Sequence, residues 1–340
     1  MSSIASPTLW FITMAVVLAL LVVDFIATRR PHEVSMREAL AWSAFYVALP
    51  LAFGLYVWSA HGGDRGLEYY TGYLVEKTLS VDNLFVFMLL LAAFAVPEVL
   101  KQRVLLYGII GALVLRGIFI ALGAAALSRF DWVFLIFGGV LLLTGIKLLR
   151  DAIRGTEHEV DVSQLRAVKV ARRFMPVTED YEGARLTVVK GGARALTPFA
   201  LVTIAVLATD IVFAVDSVPA VYGITGDPYL VFVTNAFALL GLRALYFVLE
   251  GALSALVHLS YGLAAILGFI GAKLVLHWAH LVWPSIPDVP TLASLFVIVA
   301  ILAVTVCTSL VANARSKAAT KAGTEAGTED EADDDAFVTR

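Results

Sequence analysis

Two stretches of the chain carry carboxylates at a matched spacing inside otherwise apolar sequence. The first reads Glu76-Lys77-Thr78-Leu79-Ser80-Val81-Asp82-Asn83, the second Asp210-Ile211-Val212-Phe213-Ala214-Val215-Asp216-Ser217. Both follow one pattern: an acid, a five-residue spacer, Asp, then a neutral oxygen donor. Carboxylates with an amide oxygen and a hydroxyl make a hard, all-oxygen donor set, which suits Mn²⁺, Mg²⁺ or Ca²⁺. Soft metals fit poorly, because no cysteine lies near either stretch. His277 and His280 stand apart from both stretches and are read as interfacial side chains.

An ionised group at the centre of a membrane helix costs roughly 2.5–3.5 kcal/mol, so intramembrane acids point by default to an ion or proton pathway. The competing reading is internal neutralisation, with Lys77, Arg116, Lys147, Arg243 and Lys273 balancing Glu76, Asp82, Asp210 and Asp216. Asn83 and Ser217 weigh against it, since a plain ion pair needs no neutral oxygen beside it. At about 100° per residue, Glu76, Ser80 and Asn83 share a helix face, whereas Asp82 sits roughly 120° away. Asp210, Ala214 and Ser217 form the matching stripe. For both acids of one helix to reach one ion, the helix must break or the ion must lie between several helices. Pro219 predicts a break in the second stretch that frees the Val215 carbonyl as a further ligand.

The elements that hold these residues follow from the apolar runs. Of 340 residues, 60% are hydrophobic and 16% charged, too little polar surface to coat a water-soluble globule of this size. The runs are long enough to span about 30 Å of hydrocarbon as helices. They predict an all-α polytopic membrane protein of about nine transmembrane helices, at 8–27, 39–59, 71–95, 104–127, 131–149, 197–218, 230–249, 257–276 and 291–312. The first run lacks a basic leader and a cleavage site, and is read as an uncleaved span. With the N-terminus outside, 18 of the 25 lysines and arginines fall in inner connections, two in outer ones and five within spans. This asymmetry predicts a multi-pass protein of the inner (plasma) membrane with its C-terminus in the cytoplasm.

Three correspondences recur in order. The paired acids of spans three and six come first. Leu115-Arg116 in span four then matches Leu242-Arg243 in span seven, and Gly145-Ile146-Lys147 in span five matches Gly271-Ala272-Lys273 in span eight. They predict a duplicated three-helix unit, spans 3–5 and 6–8. An odd number of helices per copy inverts the second copy, the layout of secondary transporters with a substrate site between the copies. The transmembrane region is expected over 1–312, with one cytoplasmic loop at about 150–196 holding a small hairpin around Gly191-Gly192. The acidic segment 313–340 is expected to be a disordered tail. The lone Cys307 permits no dithiol pair within one chain. No catalysis, cofactor or nucleic-acid partner is expected, membrane lipid is, and the oligomeric state is left open.

The stretches Glu76–Phe87, Thr209–Ala220 and Asn235–Phe247 resemble the signature regions of the TerC family, including its Alx-type members, and the similarity runs from about Trp10 to about Val311. The resemblance implies an integral membrane protein of the wider LysE-like exporter group, associated with Mn²⁺ export and, by name, with tellurium resistance. Carried over by position, the family's intramembrane acids fall on Glu76, Asp82, Asp210 and Asp216, with Asn83 and Ser217 beside them, and Asp24 also matches. Family members often carry a Glu where this chain has Leu207, which bears on the ligand count. The expectation is an inner-membrane exporter of a divalent cation, Mn²⁺ foremost, with Asp24, Lys77, Arg116, Lys147, Arg243 and Lys273 tuning the acids. Rival expectations are a membrane scaffold or assembly factor, and a redox modulator.

Overall fold

A computed structural model describes residues 3–27, 35–155, 166–178, 180–190, 193–249, 258–312 and 314. Among the described residues the fold is all-α apart from one hairpin. Its helices are α1 (Pro7–Ala27), α2 (Met36–His61), α3 (Gly63–Ala93), α4 (Glu98–Leu127), α5 (Trp132–Arg154), the short α6 (Arg166–Phe174), α7 (Pro198–Tyr222), α8 (Pro228–Leu240), α9 (Leu242–Leu249), α10 (Leu259–Val282) and α11 (Thr291–Ala312). Strands β1 (Thr187–Lys190) and β2 (Ala193–Leu196) pair antiparallel on either side of the predicted turn. The turn residues Gly191 and Gly192, most of the acidic tail and the middle of the 150–196 connection lie outside the described residues.

Local chemistry sets the helix ends. Ser35 caps α2 through Glu38 N–H (3.3 Å), Thr197 caps α7 through Ala200 N–H (3.2 Å), and Asp227 caps α8 through Tyr229 N–H (2.9 Å). Proline occupies the first helical position of both α7 and α8, where its missing N–H costs nothing. Gly155 ends α5 at φ 64°, a left-handed turn that a side chain would strain.

Among the described residues, seven helices are long and apolar enough to cross a membrane, and α8 with α9 makes an eighth span if the bent pair is counted as one. These eight coincide with eight of the predicted spans. The remaining predicted span is α3, whose 31 residues include Asp64, Arg65, Glu68, Glu76, Lys77 and Asp82. It lies at the centre against α2, α7 and α8, which bury Glu76 and Asp82 and half-bury Lys77, while Asp64 stays exposed at its N-terminal end. Large apolar side chains such as Leu55, Leu122, Leu143 and Val304 face outward instead, an inside-out pattern proper to a lipid solvent.

The predicted break at Pro219 does not occur: α7 continues through it to Tyr222. The bundle has its bend in the following span, at Gly241, where α8 and α9 meet at 40°. A proline one turn from a helix end removes only one internal bond, and packing of the buried segment Val218–Tyr222 holds the rest. At Gly241, Lys77 donates to the Ala238 carbonyl (3.4 Å), placing a cation at the carbonyl end of α8.

The two predicted copies interleave. The most extensive packing joins α5 to α10, followed by α4 with α7 and α3 with α8. Exchanging the copies turns the α4–α7 pair into α8–α3 and returns α5–α10 to itself. The α5–α10 contact is close because it is made of glycine: a Cβ on Gly138 would lie 2.8 Å from the Gly271 carbonyl, and one on Gly145 would lie 3.1 Å from that of Ala264. The offset that carries Lys147 onto Lys273 carries Gly138 onto Ala264 and Gly145 onto Gly271, so these two contacts also exchange.

Candidate metal pathway

The first acid of each stretch meets the same arginine. Arg116, on α4, is 1% exposed and bonds Glu76 of α3 through Nη1. Its Nη1 also donates to Asn235 Oδ1 of α8 (3.0 Å), and its Nη2 to Asp210 Oδ1 of α7 (3.3 Å). Asn83 turns its amide oxygen to Arg116 Nη2 (3.2 Å) and donates to the Leu79 carbonyl (3.1 Å). Side chains from α3, α7 and α8 thus converge on the one guanidinium that α4 supplies. Two carboxylates and one guanidinium leave a net negative charge when all are ionised.

The cluster is not closed. Glu76 Oε2, Asp210 Oδ2, Ser80 Oγ and Ser217 Oγ are buried with no hydrogen-bond partner among the described residues. Leaving buried polar oxygens unsatisfied is costly, most of all for a carboxylate. Each would be satisfied by a cation.

The second acids lie in a different tier. α3 runs unbroken from Glu76 to Asp82, so the two carboxylates leave it in different directions, as the helical geometry requires. Asp82 is buried, Asp216 is half-buried, and Asp216 stands within electrostatic range of Arg116, Asp82 and Lys147. Lys147 itself is exposed. Among the described residues, no three His, Cys, Asp or Glu side chains are gathered as a metal-holding group. The structure brings Glu76, Asp210 and Asn83 together on Arg116, and sets Asp82 near Asp216.

Arg243, the counterpart of Arg116, serves a second buried cluster. Its Nη2 donates to Asp24 Oδ1 (2.8 Å), which also accepts from the Tyr46 hydroxyl (2.8 Å), and its Nη1 donates to Gln102 Oε1 (3.3 Å). The face of Trp42 lies 6.0 Å from the guanidinium carbon. Asp24 therefore belongs with Arg243 and not with the paired acids. Lys77 reaches the α8 carbonyl end, and Lys273 lies away from both clusters, beside Tyr222 and His277. Asn235, Gln102, Tyr46 and Trp42 were missed as site residues. Asn235 carried a signal, an amide within an apolar run, while the other three had none.

Comparison with known proteins fits this arrangement. No solved structure matches the chain significantly. An uncharacterized membrane protein of Myxococcus xanthus is 40% identical over 310 residues, covering 91% of this chain and 94% of its own length. An uncharacterized membrane protein of Mycobacterium tuberculosis is 43% identical over 277 residues, covering 81% and 70% respectively. The Alx protein of Escherichia coli (strain K12), named as a membrane-bound redox modulator, is 39% identical over 316 residues, covering 90% and 95%. Residues 61–317, which contain both acidic stretches and both arginines, match the description "Integral membrane protein TerC family". With its charged centre enclosed by apolar helices and this match over most of its length, the chain belongs to the TerC family of integral membrane proteins.

Proposed function

We propose that the protein exports a divalent metal cation, Mn²⁺ foremost, across the inner membrane by alternating access between its two three-helix copies. The observation that carries this reading is the pair of orphaned carboxylate oxygens, Glu76 Oε2 and Asp210 Oδ2, held inside the bundle, with the unpartnered hydroxyl of Ser217 two turns further along α7. A purely structural ion pair would be expected to use those oxygens. Here they form the beginning of a hard-oxygen shell, which Asn83, Asp82 and Asp216 would complete as the copies move. Arg116 holds the first acids when no cation is bound and is displaced when one enters. The interleaved packing, with its exchanging glycine contacts, supports an inverted repeat and a rocking motion about α5 and α10. The distribution of Lys and Arg supports an outer N-terminus and a cytoplasmic C-terminus.

The redox name of the Escherichia coli relative favours a second reading. This chain has one cysteine, Cys307, exposed on α11, so a dithiol couple cannot form within it. A redox effect would then follow from changed metal content. One experiment separates export from a scaffold role: cell Mn content and Mn tolerance in an exporter-deficient host expressing wild type, Asp82→Asn or Asp216→Asn at equal membrane abundance. Export requires that wild type lowers cell Mn and both variants fail. Equal behaviour of all three would sink the transport reading and leave the scaffold.

A further inference from the structure

A second polar site lies at the end of the bundle where α7 and α10 finish and α5 and α11 begin. A cavity of about 220 Å³ opens there, lined by Tyr222, Gly223, Lys273, His277, Asp288 and Thr291 among others. At about 30 Å³ per water it has room for several waters or for a small polyatomic ion.

Lys273 is 7% exposed and, among the described residues, makes no hydrogen bond and no ion pair at contact distance. Two carboxylates act on it through space, Asp288 and Glu68, but both are engaged elsewhere. Asp288 gives Oδ2 to His277 Nδ1 (2.9 Å) and Oδ1 to Val289 N–H (2.8 Å). Glu68 Oε2 accepts from Arg65 (2.8 Å) and from Thr225 (2.7 Å). The Tyr222 hydroxyl spends its proton on the Ile120 carbonyl (2.8 Å). The ammonium therefore faces the cavity with no anion in contact.

The N-terminus of α11 meets the same space. Ser294 N–H closes on the Pro290 carbonyl (3.1 Å), so the N–H groups of the first turn, from Thr291 on, have no partner within the helix. Those groups and the helix dipole favour negative charge. Asp288 lines the cavity too, but its oxygens already accept from His277 and from Val289 N–H, whereas the Lys273 ammonium has no contact partner among the described residues. A cation would meet the ammonium.

We propose that this cavity binds a small oxyanion of the phosphate type, held by Lys273 and the N-terminal turn of α11. The inference does not depend on cation export. Its chemistry is shared by free phosphate and by a phospholipid headgroup reaching in from the membrane surface.

The test uses the purified full-length protein in lipid-free detergent, titrated calorimetrically with inorganic phosphate or with dihexanoyl phosphatidylglycerol at constant ionic strength set with chloride. Saturable binding of either is expected to weaken about tenfold or more in Lys273→Met and to persist in Lys273→Arg. Binding of phosphate assigns the site to the soluble anion, and binding of the lipid alone assigns it to a headgroup. Gel filtration shows that each variant is folded. The proposal is overturned if neither probe saturates on wild type, or if folded Lys273→Met binds as tightly as wild type.

Discussion

Replacing Arg116 by Met keeps an unbranched apolar stem, shorter than the arginine, and removes the guanidinium of the central cluster. Arg116 touches Glu76, Asp210, Asn83 and Asn235, and neither acid has another partner of opposite charge in contact among the described residues. Removing one member of a buried ion pair costs about 3–5 kcal/mol, because the remaining charge is left uncompensated. Here two carboxylates would be left facing each other, so Arg116→Met should melt well below wild type at neutral pH in metal-free buffer. Mn²⁺ at about a hundredfold excess over its dissociation constant should restore about 2.7 kcal/mol. Wild type should gain less, since the ion must displace the guanidinium. Unfolding can be followed by fluorescence of the chain's six tryptophans. Adding Glu76→Gln and Asp210→Asn to Arg116→Met should remove both the loss and the Mn²⁺ response, a coupling that independent sites would not show. The reasoning is refuted if Arg116→Met melts like wild type, or if neither Mn²⁺ nor acid recovers what it loses.

Gly138→Leu forces a side chain into the Gly271 backbone and should cost about 1–3 kcal/mol in thermal stability, more than the same change at Gly139, whose Cβ would meet nothing within 4 Å. Tyr46→Phe removes a donor to Asp24 Oδ1 and should cost about 1–3 kcal/mol, while Trp42 and Arg243 stay in place. Burial raises the Asp288 carboxyl, but the hydrogen bond and charge of His277, the Val289 N–H and Lys273 outweigh this and hold it below its usual 3.8. The folded state therefore binds that proton less tightly than the unfolded one. The resulting stability is present above the usual value and is lost as pH falls through the lowered one; a thermal-melt series between about pH 5 and 3 should show a shallower loss in Asp288→Asn.

The span pattern was legible because lipid imposes length and apolarity on each helix, and α1, α2, α4, α5, α7, α10 and α11 reflect that directly. The hairpin was legible for a different reason: Val188 and Val189 on one side of a Gly-Gly pair are strand chemistry beside a turn. The copy-to-copy match located Glu76, Asp210, Arg116 and Asn83, but spacing alone could not show that both acids share one arginine, since that depends on how α4 packs against α7. Pro219 misled because a proline breaks an isolated helix, whereas buried neighbours carry this one through. Gly241 gave no warning, as Lys77 fixes the bend from another helix. The Asp24–Arg243 pair joins residues far apart in sequence, and neither the charge pattern nor the repeat places α1 beside α9.

The placement of charge on α3 bears on how the chain enters the bilayer. Glu76, Lys77 and Asp82 would each weigh roughly 2.5–3.5 kcal/mol against insertion of this helix alone. Their compensation comes from elsewhere: Arg116 on α4, the Ala238 carbonyl on α8, and the neighbouring stretch of α7. The last two emerge from the ribosome only after the long 150–196 connection. On this account α3 and α4 enter the membrane as a pair, and α3 reaches its final depth once α7 and α8 arrive. A chain ending after α5 would hold α3 inserted beside α4 but short of its final depth, and α7 and α8 complete its insertion.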